Sequence, residues 1–307
     1  VESSNNSVTY IRSFAGFIIT YNRPNELSRT IDAVFRQSLT PEKLLIIDNG
    51  SNPETEAVVQ GKMNSRLVYH RIGKNLGPAG GARFGLHYLH QQGYHYLYWG
   101  DDNDPPPFTD AFEKLIALID RPDQSVGVVG MVGNYFDQLS GSVKRPPSGQ
   151  LEEQSTLEVD VVSGNQCLIV SSAVLKKSIY PDENLFFGFE ELDFCLAVQK
   201  AGFKILVSSE LFIRCRKQWG RENFTRPLYK KKSPNFLWRE YYSTRNSLVI
   251  LKKNKFAVAI FLSLIRYFLK SWIGFRYGLT YGSKNAKMIL KGIFDFFKGK
   301  MGQQLHL

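Results

Sequence analysis

Four consecutive oxygen-bearing side chains, Asp101-Asp102-Asn103-Asp104, follow an apolar stretch and precede Pro105-Pro106-Pro107. Carboxylate and amide oxygens suit hard cations such as Mg²⁺ or Mn²⁺, which commonly bridge a protein carboxylate to a diphosphate. The plainer account is an acidic turn in which Asp and Asn satisfy backbone groups. Four such side chains on one loop repel one another without a counter-charge, and this favours the metal. A second acidic group, Glu190-Glu191-Leu192-Asp193, opens a helical pattern behind the aromatic turn Leu185-Phe-Phe-Gly-Phe189. Acids in a first helical turn are stabilised by the helix dipole alone. An aromatic wall can instead raise a carboxylate's pKa and make it a general base, and both readings stay open here. A third group, Asn75-Leu-Gly77-Pro-Ala-Gly80-Gly81-Ala-Arg83, has glycines that let a backbone approach phosphates. It has neither the ending of a P-loop nor GxGxxG, so a flexible loop with a helix start explains it equally well. His87, His90 and His95 are too unevenly spaced for zinc. Cys167, Cys195, Cys215 and Ser171-Ser172 have no evident histidine partner for nucleophilic catalysis.

These groups need elements that bring them together. Apolar runs at 14–20, 44–47, 67–71 and 94–99 read as buried strands, and helical spacing fills 25–37, 54–62 and 82–92 between them. Continuous apolar strands alternating with helices imply an α/β fold, a mostly parallel sheet covered on both faces. Ligands of such sheets sit beyond the C-terminal strand ends. Thr20, Asp48, Asn75 and Asp101 all fall there, so one pocket can collect them. Further strands are expected at 125–132, 159–162, 167–170 and 203–207. A helix over 190–201 is capped by Gly202.

The 307 residues are 43% hydrophobic and 22% charged, which excludes a mainly disordered chain. The net charge of +11 is unevenly spread. Residues 226–300 hold 17 Lys/Arg against Glu240 and Asp295, or +15, and the remainder sums to −4. We therefore expect a catalytic domain over 1–225 and a basic tail of two or three amphipathic helices over 226–307, serving membrane association or oligomerisation. Three cysteines without a CxxC spacing point to a reducing cytoplasm. No signal peptide is read at the start. The longest apolar run, 256–265, is stopped by Arg266 and is shorter than the ~20 residues that span a bilayer.

Six segments occur in a telling order: Thr20-Tyr-Asn-Arg-Pro24, Ile46-Ile-Asp48-Asn-Gly-Ser51, Asn75-Leu-Gly77, Asp101-Asp-Asn103, Val162-Ser-Gly164-Asn165 and Phe187-Gly-Phe-Glu190-Glu191-Leu-Asp193. The set resembles family 2 inverting glycosyltransferases with the GT-A fold. Within that family it is most similar to bacterial galactofuranosyl- and rhamnosyltransferases of cell-surface polysaccharide synthesis. The resemblance covers about residues 14–246.

It implies a Rossmann-like sheet whose nucleotide-sugar part is about 14–104 and whose acceptor part is about 105–225. It also implies roles: Thr20, Asn22 and Arg23 line the nucleotide pocket, and Asp48 contacts base or ribose. Asn75, Gly77 and Arg83 lie along the sugar nucleotide. Asp101 and Asn103 are the outer members of a metal-binding DXD, Asp102 sits near the donor sugar, and Asp102 or Asp104 can replace the neutral Asn103 as ligand. Glu191 deprotonates the acceptor hydroxyl, with Glu190 and then Asp193 as fallback bases. Gly164 and Asn165 lie near donor sugar and acceptor, and Trp219-Gly220 forms an acceptor-side loop. The family's metal-binding His is replaced by Ile213-Arg214-Cys215-Arg216, which makes Arg214 and Arg216 candidates for neutralising the diphosphate directly.

The implied activity is transfer from a UDP-galactofuranose or dTDP-rhamnose type donor to a lipid-linked or polysaccharide glycan, with Mn²⁺ or Mg²⁺ as cofactor. The implied place is the cytoplasmic face of the cell membrane, reached through an anionic lipid surface. Homo-oligomerisation is a further expectation, and nucleic acid is not an expected partner. Two other readings compete. A sugar-1-phosphate nucleotidyltransferase needs a Gly-rich loop on the first strand, where this chain has Thr20-Tyr-Asn-Arg. A nucleic-acid binder would use the aromatics Tyr229, Trp238, Tyr241 and Tyr242 of the basic tail but leaves the acidic cluster unexplained.

Overall fold

The computed structural model describes residues 12–50, 52–121, 125–162, 167–222 and 231–305. Ser51, Gly164, Asn165, Arg226, Tyr229 and Lys230 therefore lie outside the described residues. In chain order the elements are β1 (Phe14–Thr20), α1 (Pro24–Phe35), β2 (Lys43–Asp48), α2 (Pro53–Gln60), β3 (Leu67–Arg71), α3 (Gly77–Gln91), β4 (Tyr96–Asp101), α4 (Ala111–Ile119), β5 (Val126–Gly130), β6 (Gly133–Asp137) and β7 (Ser142–Lys144). Then come α5 (Ser148–Glu153), β8 (Thr156–Glu158), β9 (Val161–Val162), β10 (Leu168–Ser171), α6 (Ser172–Lys176), α7 (Glu190–Lys200), β11 (Lys204–Ser208), α8 (Ser209–Gln218), α9 (Trp238–Lys253), α10 (Ala257–Ile273) and α11 (Leu279–Phe297).

Eight strands form one sheet in the order β3-β2-β1-β4-β10-β5-β11-β8. The first four are mutually parallel, as is the β5–β11 pair, whereas β10 and β8 run antiparallel to their neighbours. Every residue of β1 is buried, as a central strand that is apolar up to Thr20 and lies between two helix layers must be. Its register sets the edge on which the polar residues meet: Thr20 pairs with Asp48 of β2, and Ile19 with Asp101 of β4.

The glycine-rich segment is helix rather than loop, so α3 begins at Gly77 and not near residue 82. Its glycines set a packing seam. A Cβ on Gly85 would lie 2.6 Å from the Phe17 ring, and one on Gly81 would lie 2.9 Å from Ile19. The backbone of α3 therefore lies directly on β1. Gly77 adopts φ +68 and packs on the Phe186 carbonyl. Helices α4 and α8, which the sequence reading did not mark, complete the cover of the sheet.

Among the described residues three α-helices follow residue 230. Helix α9 is built into the body: Tyr241, Tyr242, Arg245, Asn246 and Leu248 are fully buried. Helix α11 packs along it, with Gly292 close against the Tyr241 carbonyl. Helix α10 instead turns a row of large apolar side chains outward, among them Phe261, Ile265, Phe268, Leu269 and Trp272. The stretch Ala257–Tyr277 is long and apolar enough, by length and composition, to cross a membrane. Counting only the uninterrupted run up to Arg266 overlooks that property.

Candidate active site

A cleft of about 270 Å³ opens at the C-terminal edge of the parallel strands. Ile19 and Arg23 reach it from β1 and the turn that follows, and Trp99, Asp101 and Asn103 from the end of β4. Pro78 of α3, the loop residues Phe187 and Gly188, and Glu190 and Glu191 at the start of α7 form another part of the wall. Arg239 of α9 completes it. The two acidic groups of the sequence thus meet: Asp101 and Asn103, the two glutamates and the arginines Arg23 and Arg239 share a single space.

The two glutamates differ in kind. Glu190 is buried and its Oε2 has no hydrogen-bond partner. Burial, the Glu191 charge and the Asp101 charge hold its proton well above the usual carboxylate range. Glu191 is half-buried, and burial, with a smaller contribution from Asp101, pushes it up to about 7. A carboxyl that releases its proton near neutrality is matched to general-base work. Asp193 is buried but engaged elsewhere, with Lys253 Nζ 2.7 and 2.9 Å from its two oxygens.

Asp102 is turned into the protein. Its carboxylate accepts from Thr20 Oγ1 at 2.9 Å, the Tyr21 amide at 3.3 Å and Arg23 at 3.2 Å, so it ties the β1–α1 turn to β4. Burial and Asp101 raise its pKa to about 6 in spite of these donors. Asp48 is buried at the end of β2 and accepts from the Gly50 amide and the Tyr69 hydroxyl, both at 2.7 Å. Asn22, at φ +54, accepts from the Asn52 amide at 3.1 Å. Asn75 Oδ1 accepts from the Gly77 amide at 2.8 Å and shapes the entry to α3. Arg83 faces the Glu183–Leu185 turn, 3.7 Å from Glu183, rather than the cleft. Asp104 and Trp219 line a separate cavity with Arg29, Asp32 and Arg36, and Gly220 (φ +58) ends the turn after α8. Gly164 and Asn165 lie outside the described residues.

The cations at the cleft are not the two that the missing histidine brought forward. Arg214 donates to Asp110 at 2.7 and 2.9 Å, and Arg216 donates to the Pro146 carbonyl at 2.6 Å and Ser148 at 2.8 Å. Both guanidiniums serve packing. Arg23 and Arg239 are the ones that line the space. Arg239 sits 4.7 Å from the Phe236 ring centroid and 5.2 Å from that of Phe187, with its Nε buried and unpartnered. Burial and the neighbouring Arg23 charge lower its proton affinity, so an anion in the cleft would relieve both. Sequence reasoning missed Arg239 because it lies in a basic segment where one arginine looks like any other. The adjacent aromatics Phe236 and Trp238 were the available signal.

Among the described residues, no group of three His, Cys, Asp or Glu side chains is arranged to hold a metal. Asp101 and Asn103 nevertheless offer two hard oxygen donors on the cleft wall. That donor set fits Mg²⁺ or Mn²⁺, which bind through one or two protein oxygens and complete their shell with substrate phosphates and water. Asp104, in the other cavity, is not part of this set.

Comparison with known proteins bears on the fold and the family. The galactofuranosyltransferase GlfT1 of Mycolicibacterium smegmatis is 27% identical over 111 residues, which are 36% of this chain and 36% of the relative. About a third of the relative's length is thus matched. Staphylococcus aureus TarS residues 1–349, solved with UDP-GlcNAc, superimposes with a TM-score of 0.56 at 17% identity, covering 94% of this chain and 81% of that one. The mannosyltransferase PcManGT of Pyrobaculum calidifontis, solved with GDP-Man and Mn²⁺, gives 0.54 at 10% identity over 95% and 89% of the two chains. The fold is therefore that of GT-A glycosyltransferases, with a second half of the sheet whose mixed strand directions the apolar runs alone did not specify. The sequence model of the glycosyl transferase family 2 domain matches residues 17–177, just over half of the chain, and the protein belongs to that family.

Proposed function

We propose that this glycosyltransferase moves a hexose, with inversion, from a UDP-galactofuranose or dTDP-rhamnose type donor to a hydroxyl of a lipid-linked or polysaccharide glycan. The observation that carries the reading is the meeting, in one cleft, of Asp101 and Asn103, the two cations Arg23 and Arg239, and a glutamate whose pKa is pushed up to about 7. The similarity to GlfT1 supports the galactofuranose donor.

In this mechanism Glu191 takes the proton of the acceptor hydroxyl while the oxygen bonds to the anomeric carbon. The bond from that carbon to the nucleotide diphosphate breaks, and its electron pair leaves with the diphosphate. Arg23 and Arg239 receive the developing negative charge. A bound Mn²⁺ or Mg²⁺ would be held by Asp101 and Asn103 and would supply further charge neutralisation at the diphosphate. Glu190, buried beside Glu191 with its proton affinity raised by that burial, resists adding a second negative charge to the site.

The lipid-linked acceptor implies work at a membrane surface. The outward row of α10, with Phe261 and Trp272 each 64% exposed, continues into Leu279, Phe294 and Phe297. Residues 257–300 also carry eight Lys/Arg against Asp295. We assign this face to the cytoplasmic leaflet of the cell membrane, where apolar side chains enter the interface and each basic residue adds ~1 kcal/mol of attraction to anionic lipid. Self-association of the chain through the same face is the competing use.

The test is a screen of UDP-galactofuranose, UDP-galactopyranose, dTDP-rhamnose and GDP-mannose for nucleotide release that depends on an added glycan acceptor, followed by NMR of the product's anomeric centre. Release with one donor and inversion at that centre is the expected result. No acceptor-dependent release from any donor, or retention, overturns the reading.

A further inference from the structure

The path from residue 185 to 189, which delivers Glu190 and Glu191 to the cleft, is unusual. Phe186 (φ +62), Gly188 (φ +81) and Phe189 (φ +69) all take the left-handed region, and α7 starts without a capping side chain. Left-handed backbone at two phenylalanines costs ~1–3 kcal/mol each and persists only where the surroundings over-determine it. The Phe186 carbonyl is held from α3 by the Ala79 amide at 3.3 Å, and the carbonyls of 185, 187 and 188 are held by two consecutive side chains of α9. Asn246 Nδ2 lies 2.9 Å from the Leu185 carbonyl, 2.9 Å from that of Phe187 and 3.0 Å from that of Gly188. Its Oδ1 accepts from Arg245 Nε at 2.9 Å, which fixes the orientation of the amide. Arg245 donates to the Leu185 carbonyl at 2.9 Å and to the Gly302 carbonyl at 2.7 Å. The Gly302 amide in turn donates to Asn184 at 2.7 Å. Both Arg245 and Asn246 are fully buried. A guanidinium satisfied by carbonyls and aromatic rings is a costly way to fill a core position. What it secures is the course of this one loop.

We propose that Arg245 and Asn246 are positioning residues for proton transfer: they lock residues 185–189 in the path that presents Glu191 to the acceptor. The proposal rests on the reading of Glu191 as the base. Neither side chain is among the residues lining the cleft, so their effect on chemistry passes through the loop. A misplacement of about 1 Å can cost on the order of 10²-fold in rate.

The experiment uses the full chain with Asn246→Ala, Arg245→Lys and Glu191→Gln. Arg245→Lys keeps the charge but cannot span both carbonyls, and it serves if Asn246→Ala folds poorly. Backbone amide exchange is followed by mass spectrometry, and turnover by nucleotide release. The expected result for both latch variants is at least tenfold faster exchange confined to 186–191, a kcat lowered by about 10²-fold, and a donor KM within about threefold of wild type. Exchange that quickens equally in β1 and β4, or stays unchanged at 186–191, overturns the proposal. So does turnover within threefold of wild type in Asn246→Ala when Glu191→Gln is inactive. Full turnover in Glu191→Gln removes the base assignment itself, and the exchange measurement then still decides whether the latch holds the loop.

Discussion

Replacing Glu191 by glutamine separates what this residue does for catalysis from what it costs the fold. Burial raises its pKa from an ordinary 4.5 to about 7. The folded chain therefore holds the Glu191 proton more tightly than the unfolded chain does. Below pH 4.5 both forms are protonated and the residue is neutral in its effect. As pH rises from 4.5 to 7 the unfolded form releases its proton first, so this residue makes the wild type progressively less stable, and above 7 the penalty is constant. At ~1.4 kcal/mol for each tenfold difference in proton affinity, and allowing for the charge shared with Glu190 and Asp101, the penalty is about 2–3 kcal/mol. Glutamine has nearly the same shape and never ionises. Glu191→Gln should thus melt roughly 3–5 °C above wild type at pH 8 and at the same temperature near pH 4.5. Its turnover should fall by ~10²–10⁴-fold because the amide cannot take the acceptor's proton. In the wild type, kcat should rise with pH through about 7 and then level, since the base form is lost on acidification. Differential scanning fluorimetry at both pH values, with nucleotide release on the same samples, measures all three. A variant that is inactive but melts together with the wild type at pH 8 as well as at pH 4.5 would refute the claim that burial tunes this carboxylate.

Three further outcomes are expected. Excess EDTA, or Asp101→Ala, should abolish acceptor-dependent nucleotide release that Mn²⁺ restores only to the unsubstituted protein, whereas Asp104→Asn, in the other cavity, should retain most activity; full activity in EDTA would leave Arg23 and Arg239 as the sole diphosphate partners. Arg239→Met should raise the donor KM by about 10–100-fold, the weight of a charge-assisted hydrogen bond, with melting temperature unchanged, and an unaltered KM would place the diphosphate elsewhere. The triple change Phe261→Ser, Phe268→Ser, Trp272→Ser should release the protein from anionic vesicles in co-sedimentation, since each large apolar side chain withdrawn from water contributes ~1.5–3 kcal/mol, and equal binding to neutral vesicles would exclude the electrostatic part.

The sequence was most legible where burial is total. Strand β1, buried along its whole length, begins and ends where its apolar run does; β3 does so too, although only Leu67 of it is buried. The C-terminal edge was legible for the same reason, and it delivered Asp101 and Asn103 to the cleft. Glycine misled the reading at 77–81, since the usual association with loops ignores a helix pressed onto a strand, where the absent Cβ is what counts. Asp102 and Arg83 have side chains suited to ligand contact, but their partners come from far along the chain, and no local pattern reveals which way such a side chain turns. Arg239 was hidden for the complementary reason. Charge counting averages a segment, whereas a site uses one guanidinium whose surroundings are set by tertiary contact.

Helix α9 places limits on how this enzyme could be taken apart or recombined. One end of the helix supplies Arg239 to the donor cleft, the next turns grip the loop before Glu190, and α11 is packed along its length. A version ending near residue 225 would keep nearly all of the family's sequence signature yet lack a wall of its own reaction vessel. Chimaeras that exchange tails to redirect the enzyme to another surface should therefore join within the turn before α10, at residues 254–256, and must provide a replacement for α11 against Tyr241 and Leu248. The proposed surface attachment would then be free to diverge only from that joint onward, while everything before it has to be inherited as one piece.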